Sequence, residues 1–262
     1  MSALSFERFE YKYFVPKMLL GPIRRFIAPY MVRDKHSAHS PLGRYTITNL
    51  YLDTPELSLY WAHRNGALDR YKLRLRAYGE QADGALFFEV KRKVKQVVLK
   101  NRVRIKREVV ETLLRNGHGP LPSTLAAHNL EDFMGRYVRG GCLPVVLLRY
   151  EREAYESVFG EYARLTFDRG IRYQPAQGMD LRGEEENWIY LDHPTNTWGV
   201  EKGVLVELKF TRFLPAWMVD LVRTFDLERH EFSKYLVALT HRLEEQPEGR
   251  ELGRCPAVGV EA

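Results

Sequence analysis

Basic side chains alternate with apolar ones in several short segments of this sequence, and some lysines have a glutamate two positions before them. The residues that follow this pattern are Glu10, Lys12, Lys72, Arg74, Arg76, Glu89, Lys91, Arg102, Glu207 and Lys209. A concentration of lysine and arginine usually indicates a polyanionic partner, which is a nucleic acid, an anionic membrane or a chain of phosphates. These residue types therefore predict recognition of closely spaced negative charges.

The spacing of the pattern indicates which elements position these side chains. Successive side chains of a β-strand point to opposite faces, so Lys72, Arg74 and Arg76 share one face. Leu73 and Leu75 lie on the other face, which needs a packed layer behind it. The same alternation recurs in several segments, and it predicts a sheet rather than a solvated basic tail.

About eight strand-like segments and a shorter ninth one follow along the chain. They are 6–14, 45–53, 71–78, 86–93, 101–107, 145–156, 162–173 and 204–210, with the ninth at 188–191. Helical periodicity is confined to 17–27, 108–114, 125–138, 215–224 and 231–245. Eight antiparallel strands are about the number that closes a barrel with a modest lumen. We therefore predict an α+β fold, in which about eight antiparallel strands are flanked by helices.

The charge of the chain is unevenly distributed. The 262 residues carry a net charge of +6, but residues 70–107 contain 13 Lys/Arg and three Asp/Glu, so this segment alone carries +10 and the remainder −4. The chain has no apolar run near the ~20 residues that span a bilayer and no signal-peptide pattern at its start. Two cysteines exclude a disulfide framework and a four-cysteine zinc site, and a cytoplasmic location is expected.

The domain organisation is simple. Because no internal repeat and no linker divides the chain, we expect one tunnel domain over residues 1–245. Proline, glycine and charged residues dominate beyond it, which predicts a flexible C-terminal tail over residues 246–262.

Two arrangements of the charged strand faces are open at this point. In a sandwich the charged face of each strand would contact water, and no ligand would follow from it. In a barrel with a polar interior, the apolar faces would pack outward against helices and the lumen would be lined by about ten cations. Such cations repel one another by several kcal/mol in total, to an order of magnitude. A linear polyanion in the lumen would relieve that repulsion.

Seven short segments occur in a fixed order from about residue 5 to about residue 240. They are FERFEYKY (6–13), NLYLDT (49–54), KLRLRAYG (72–79), FEVK (88–91), LRYEREAY (148–155), VELK (206–209) and FSKY (232–235). In this order they resemble the vacuolar transporter chaperone (VTC) polyphosphate polymerase domain, a branch of the triphosphate tunnel metalloenzymes related to the CYTH proteins. The family fold is an antiparallel eight-stranded tunnel with helical lids, which agrees with the strand count. The resemblance therefore implies that residues 1–245 form an antiparallel, roughly eight-stranded β-barrel tunnel with a polar, basic lumen and flanking helices.

The resemblance implies ATP-dependent synthesis of inorganic polyphosphate, with the γ-phosphate of ATP transferred to a growing chain inside the tunnel. ATP and inorganic polyphosphate are then the partners. The implied catalytic residues are Arg74, Arg76, Lys91, Arg152 and Lys209. The implied phosphate- and nucleotide-binding residues are Arg8, Lys12, Lys72, Arg74, Arg76, Lys91, Arg102, Arg152, Lys209 and Lys234. Glu207, followed by Glu89 and Glu10, would hold Mn²⁺ or Mg²⁺ together with phosphate oxygens.

One departure from the wider superfamily bears on the reaction. Hydrolytic tunnel enzymes typically begin with a Glu-x-Glu-x-Lys strand, but Arg8 stands at the first of these positions. A cation in place of a carboxylate argues against a tunnel-type triphosphatase, which stays an alternative. A non-catalytic module that binds polyphosphate or inositol phosphates is the other. No helix-turn-helix or RNA-recognition motif occurs, so duplex nucleic acid is not expected. A membrane partner and the oligomeric state stay open.

Overall fold

The computed structural model describes residues 8–79, 82, 86–95, 97–116, 124–192, 203–211 and 213–245. Its strands are β1 (Arg8–Val15), β2 (Met31–Arg33), β3 (Tyr45–Asp53), β4 (Asp69–Tyr78), β5 (Leu86–Val94), β6 (Val97–Ile105), β7 (Leu143–Ser157), β8 (Ala163–Pro175), β9 (Ile189–Tyr190) and β10 (Val204–Thr211). Its helices are α1 (Leu20–Ile27), α2 (Lys35–His39), α3 (Ser58–Arg64), α4 (Val110–Asn116), α5 (Thr124–Arg139), α6 (Ala216–Thr224) and α7 (Lys234–Glu245). Short 3₁₀ turns occupy Lys17–Leu19, Arg107–Val109 and Glu185–Asn187.

The strands form one antiparallel sheet, which confirms the predicted α+β class. Eight of them follow the order β1-β10-β8-β7-β3-β4-β5-β6, while β2 pairs with β7 and β9 pairs with β8. The long strands β7 and β8 run side by side over most of their length. The tail predicted for 246–262 lies outside the described residues.

The expected closed barrel is not formed within the described residues, where β1 and β6 end the strand order without pairing to each other. The second edge of β1 is occupied by another part of the chain. The backbone N–H of His230 donates to the carbonyl of Lys12 at 2.9 Å, and Arg229 forms a bridge with Tyr13. Side chains cross the seam instead, since Lys91 Nζ lies 3.4 Å from Glu10 Oε2. The sheet is therefore a curled, open-seamed tunnel.

The apolar faces of the strands pack outward against helices. Leu73 and Leu75 of β4 are fully buried in a cluster with Phe88 of β5 and Phe133 of α5, whose rings stack at 4.3 Å. A second cluster joins β1, β8 and β10 with α1 and α6, and a third joins β3 and β7 with α3 and α7. Burying a leucine side chain contributes about 1.5–3 kcal/mol. This packing turns the charged faces toward the interior of the curl, as predicted for a tunnel.

Three short elements escape prediction from periodicity. They are β2, α2 and α3, which are three, five and seven residues long. Helix α3 begins where the Asp53 carboxylate accepts the backbone N–H groups of Leu59 and Tyr60 at 2.8 and 2.9 Å. One or two helical turns do not show a repeat of 3.6 residues clearly enough to be recognised. No helix in the described part of the chain is long and apolar enough to cross a membrane.

Candidate functional site: a cation-lined tunnel

The concave side of the sheet encloses a cavity of about 1110 Å³. Its lining includes Lys12, Lys72, Arg74, Arg76, Lys91, Arg92, Lys93, Lys100, Arg102, Arg136, Arg152, Arg164, Lys209, Arg229 and Lys234. The acidic residues of the lining are Glu10, Glu131, Asp132 and Glu207. Among the described residues of the lining, fifteen basic side chains thus accompany four carboxylates.

The structure brings the predicted site residues together around this cavity. Those that line it directly are Glu10, Lys12, Lys72, Arg74, Arg76, Lys91, Arg102, Arg152, Glu207, Lys209 and Lys234. Glu89 lies behind the arginines and is only 1% exposed. The side chain of Arg8 lies outside the described residues, so the prediction for it stays a prediction. The roles assigned to all these residues likewise stay predictions.

Four cations share the carboxylate of Glu89. Arg74 donates to Oε2 from Nε at 2.8 Å and from Nη2 at 2.6 Å. Arg76 Nε lies 3.7 Å from the same oxygen, while Lys100 Nζ and Arg102 Nε lie 3.0 and 3.3 Å from Oε1. Burial acts to raise the pKa of Glu89, but the charges of Arg76 and Arg74 outweigh it and hold that pKa far below its usual value. This ionised carboxylate therefore positions four cations and neutralises only one of their charges.

Glu207 and Asp168 form a second cluster. Arg152 donates to both oxygens of Asp168 at 2.6 and 2.7 Å and to Glu207 Oε2 at 3.1 Å. Lys209 Nζ lies 2.6 Å from Glu207 Oε2, and Lys234 Nζ lies 3.0 Å from Oε1 and 2.6 Å from Asp168 Oδ2. Burial acts to raise the pKa of Glu207, but Lys209, Lys234 and Arg152 hold it well below its usual value. Arg152 and Lys234 each contact both carboxylates, so these four groups form a fixed unit.

Glu10 belongs to the part of the lining nearest the seam. Its Oε1 lies 3.0 Å from Lys12 Nζ and its Oε2 lies 3.4 Å from Lys91 Nζ. Lys12 also donates to the backbone carbonyl of Phe232 at 2.7 Å, which ties β1 to the segment that precedes α7. With 26% of its side chain exposed, Glu10 is the least enclosed of the three predicted metal-binding glutamates.

For several lysines of the lining, the surroundings disfavour the charged form of the side chain. Burial lowers the pKa of Lys72 far below its usual value, and the charges of Lys91 and Lys12 lower it further. Burial also lowers the pKa of Lys209, and it lowers the pKa of Lys100 to about 7 although Glu89 opposes the shift. The cations of the cavity are therefore crowded beyond what its carboxylates can neutralise. An anion bound among them would relieve this crowding.

Tyrosines form walls between the two clusters, and sequence reasoning did not assign them a role. Tyr51 accepts a hydrogen bond from Arg74 Nη1 at 2.9 Å and stacks on Tyr235 at 4.8 Å. Tyr150 lies beneath Arg152 Cζ at 5.3 Å and Lys234 Nζ at 4.8 Å. The alternation of side chains in a strand could have identified Tyr150, because this residue stands two positions before Arg152 and therefore shares its face.

Three further polar residues support the site. Asp168 is fully buried and pairs with both Arg152 and Lys234 in the second cluster. Ser233 accepts a hydrogen bond from Lys72 Nζ at 2.7 Å, next to Lys234 in the FSKY segment. Asp53 accepts backbone N–H groups of α3 and the hydroxyl of Tyr235, and thereby fixes α7 against the end of β3.

The acidic residues present do not form a metal site by themselves. In the described residues no three His, Cys, Asp or Glu side chains come together in a group that could hold a metal ion. Glu89 and Glu207 are each occupied by three or more cations. The donor set therefore does not fit a resident metal ion held by protein alone, and the predicted Mn²⁺ or Mg²⁺ site stays a prediction.

Comparison with known proteins gives one family. The family model described as "VTC domain" matches residues 7–241, which is most of the chain. No match was found among the curated proteins.

Three solved structures are similar in outline. A candidate adenylate cyclase from Bacillus halodurans has 14% identity and a TM-score of 0.47, with 87% of this chain and 94% of that chain covered. HpAC1 from Hippeastrum, a candidate adenylyl cyclase described as having a dominant triphosphatase activity, has 17% identity and a TM-score of 0.48, with 90% and 96% covered. The PH1819 protein from Pyrococcus horikoshii OT3 has 12% identity and a TM-score of 0.46, with 90% and 99% covered.

Proposed function

Because the chain belongs to the VTC domain family, we propose that it is an ATP-dependent inorganic polyphosphate polymerase. It transfers the γ-phosphate of ATP to the end of a polyphosphate chain held in the cation-lined cavity. Membership of the family and the cation-lined tunnel support the broader statement that the protein has a phosphoryl-transfer function involving phosphate chains. The polymerase activity is the specific proposal.

One observation carries the proposal, which is the excess of positive charge around the cavity. Fifteen basic residues and four acidic ones line a space of about 1110 Å³. This is about the upper limit of ordinary ligand pockets, roughly 300–1,000 Å³. A linear phosphate chain matches both the shape of a tunnel and the sign of the charge that its lining calls for. The lowered pKa of Lys72 also favours such a ligand, because a phosphate bound beside this lysine would stabilise its charged form.

The reaction needs little covalent participation by the protein. A terminal oxygen of the acceptor chain attacks the γ-phosphorus of ATP, the bond to the β–γ bridging oxygen breaks, and ADP leaves. Phosphoryl transfer of this kind is accelerated chiefly by positioning and by stabilisation of charge on the transferring group. No serine, cysteine or histidine nucleophile is required.

The two clusters suit different parts of this task. Glu89 orients Arg74, and Asn49 orients Arg76 by accepting a hydrogen bond from its Nε at 2.8 Å. The remaining N–H groups of both guanidinium groups can donate to phosphate oxygens. Arg152, fixed by Asp168, and Lys209 would hold the neighbouring phosphates. Because buried side chains already orient these cations, little reorganisation is needed when the substrate binds.

A divalent cation enters this proposal as part of the substrate. Mg²⁺ is usually bound by one or two carboxylates together with substrate phosphates. Mn²⁺ or Mg²⁺ would therefore arrive with the nucleotide, and Glu207 and Glu10 are the carboxylates of the lining beside which it could lie. When bound, the metal supplies additional neutralisation of phosphate charge.

The substitution Arg74→Ala tests the proposal against a matched control. The purified protein is incubated with ATP and Mn²⁺ or Mg²⁺, and long-chain polyphosphate is measured by gel electrophoresis. We expect wild-type protein and Arg223→Ala, which alters an exposed arginine of α6, to form polymer. Arg74→Ala should form none while keeping its far-ultraviolet circular dichroism. Undiminished polymer in Arg74→Ala would contradict the site assignment.

A further inference from the structure

A group of three aromatic residues lies at one end of the cavity, and two lysines lie at the other. Strand β4 ends where β3 and β5 begin, because these neighbours run antiparallel. Tyr45, Tyr78 and Phe87 lie at this end, and we call these three residues the aromatic rim. Lys72 and Lys93 lie at the opposite end, where β4 begins and β5 ends. The two openings therefore offer different chemistry to a ligand.

The rings of the aromatic rim lie close to one another, and Tyr45 and Tyr78 also pack against the core cluster that joins β3 and β7. The ring centroids of Tyr45 and Tyr78 are 6.0 Å apart, and those of Tyr78 and Phe87 are 5.9 Å apart. The exposed ring of His36 stacks on Tyr78 at 5.8 Å. All three rim residues are only half-buried, and both tyrosines line the cavity. Part of the surface of Tyr45 and Tyr78 is thus accessible from the tunnel.

Arg102 joins the aromatic rim to the phosphate-binding cluster. Its Cζ lies 3.5 Å from the centre of the Phe87 ring, and its Nη2 donates to the Tyr78 hydroxyl at 3.1 Å. On its other side, Nε lies 3.3 Å from Glu89 Oε1. A ligand that reaches from the Glu89 cluster to the aromatic rim must therefore pass a guanidinium group and end against rings.

We propose that the aromatic rim binds the base of a nucleoside triphosphate whose phosphates lie in the cavity. This proposal rests on the proposed function and specifies which end of the tunnel the nucleotide uses. Nucleobases stack on aromatic side chains, and arginine adds a cation–π contribution beside them. Inorganic polyphosphate has no group that could use such rings. The polymer accordingly occupies the lysine-rich end, beyond Lys72.

Two consequences follow for recognition. The tunnel prefers a nucleoside triphosphate to inorganic tripolyphosphate, although the phosphate contacts are shared. It discriminates weakly among bases, because every base offers a flat face for stacking and no base edge needs to be read.

Binding measurements on two ligands test the proposal. Adenosine 5′-(β,γ-imido)triphosphate and inorganic tripolyphosphate are titrated into wild-type protein, Tyr78→Leu and Tyr45→Leu by calorimetry. We expect either substitution to weaken nucleotide binding about tenfold, the effect of losing one stacked base. Tripolyphosphate binding should change by less than about twofold, since no basic residue is substituted and Glu89 still holds Arg102 in the Tyr78 variant.

Two further variants separate stacking from other effects. Tyr78→Phe keeps the ring and removes the hydroxyl that Arg102 contacts, so it should retain the preference for nucleotide. Tyr190→Leu alters an exposed tyrosine of β9 that is not among the lining residues, and it should also bind like wild type. A wild-type protein that binds both ligands equally, or rim variants with an unchanged preference, would overturn the proposal.

The outcomes also distinguish this proposal from the proposed function. Polymer formation without any preference for nucleotide would contradict the aromatic rim and leave the polymerase in place. A rim-dependent preference without polymer formation would support the rim and contradict the polymerase. Failure of both ligands to bind would contradict both.

Discussion

The substitution Glu207→Gln removes one of the two negative charges of the cluster that Glu207 forms with Asp168, and it keeps the shape of the side chain. Glu207 is 4% exposed and contacts Arg152, Lys209 and Lys234 at 2.6–3.1 Å. Asp168 continues to neutralise Arg152 and Lys234 in the variant, but Lys209 loses its ion pair. The variant therefore concentrates uncompensated positive charge at one point of the cavity.

The size of the effect follows from this geometry. Removing one partner of a buried ion pair costs about 3–5 kcal/mol, because the other charge stays buried without compensation. Since the glutamine amide keeps part of the hydrogen bonding and Asp168 stays, we expect about 3 kcal/mol. For a domain of this size each kcal/mol corresponds to about 2–4 °C in Tm. Glu207→Gln should thus lower the Tm by about 6–12 °C.

Urea denaturation with and without inorganic tripolyphosphate, in the absence of divalent metal, tests this reasoning. Because the bound anion takes over the neutralising role of the carboxylate, tripolyphosphate should stabilise Glu207→Gln more than it stabilises wild type. Glu186→Gln, which alters an exposed glutamate, should match wild type in both conditions. Unchanged stability of Glu207→Gln, or a smaller gain from tripolyphosphate, would refute the account of the cluster.

Two other predictions concern pH. Burial acts to raise the pKa of Glu153, but hydrogen bonds from Arg24 and Tyr155 outweigh it and lower that pKa below 4.5. The ionised Glu153 therefore stabilises the fold fully above about pH 5, and this contribution is lost in more acidic solution. Glu153→Gln should lower the free energy of unfolding by about 3 kcal/mol at pH 7. Urea denaturation from pH 5 to pH 3 should show the difference between the variant and wild type becoming smaller. Burial lowers the pKa of Lys100 to about 7, and bound phosphate favours its protonated form. The affinity for tripolyphosphate, measured by calorimetry, should therefore fall more steeply from about pH 7 to pH 9 in wild type than in Lys100→Arg. Equal slopes would contradict the inference that Lys100 is the group that loses its proton in this range.

The period of the strands explains why most of the site could be predicted from sequence. Lys72, Arg74 and Arg76 share a face because side chains alternate in any strand, whatever its partners. The same rule placed Glu207 with Lys209 on one face of β10. Such local rules do not depend on the rest of the fold, so they survive in the tertiary structure.

Contacts between side chains of different elements could not be predicted in this way. Asp168 pairs with Arg152 across β7 and β8 and with Lys234 from α7, and no local pattern identifies these partners. The seam is a similar case, since the segment 229–230 occupies the second edge of β1. Which face of the sheet is enclosed also depends on helices elsewhere in the chain, above all α5 and α1.

The phosphate balance of the reaction tests the central claim most directly. Purified protein is incubated with ATP and Mn²⁺ or Mg²⁺, and ADP, free phosphate and acid-precipitable polyphosphate are measured in the same sample over time. The account predicts that the phosphate in polymer rises in step with ADP while free phosphate stays near the level without protein. Release of free phosphate in step with ADP, with no polymer, would contradict the polymerase and favour hydrolysis of the triphosphate.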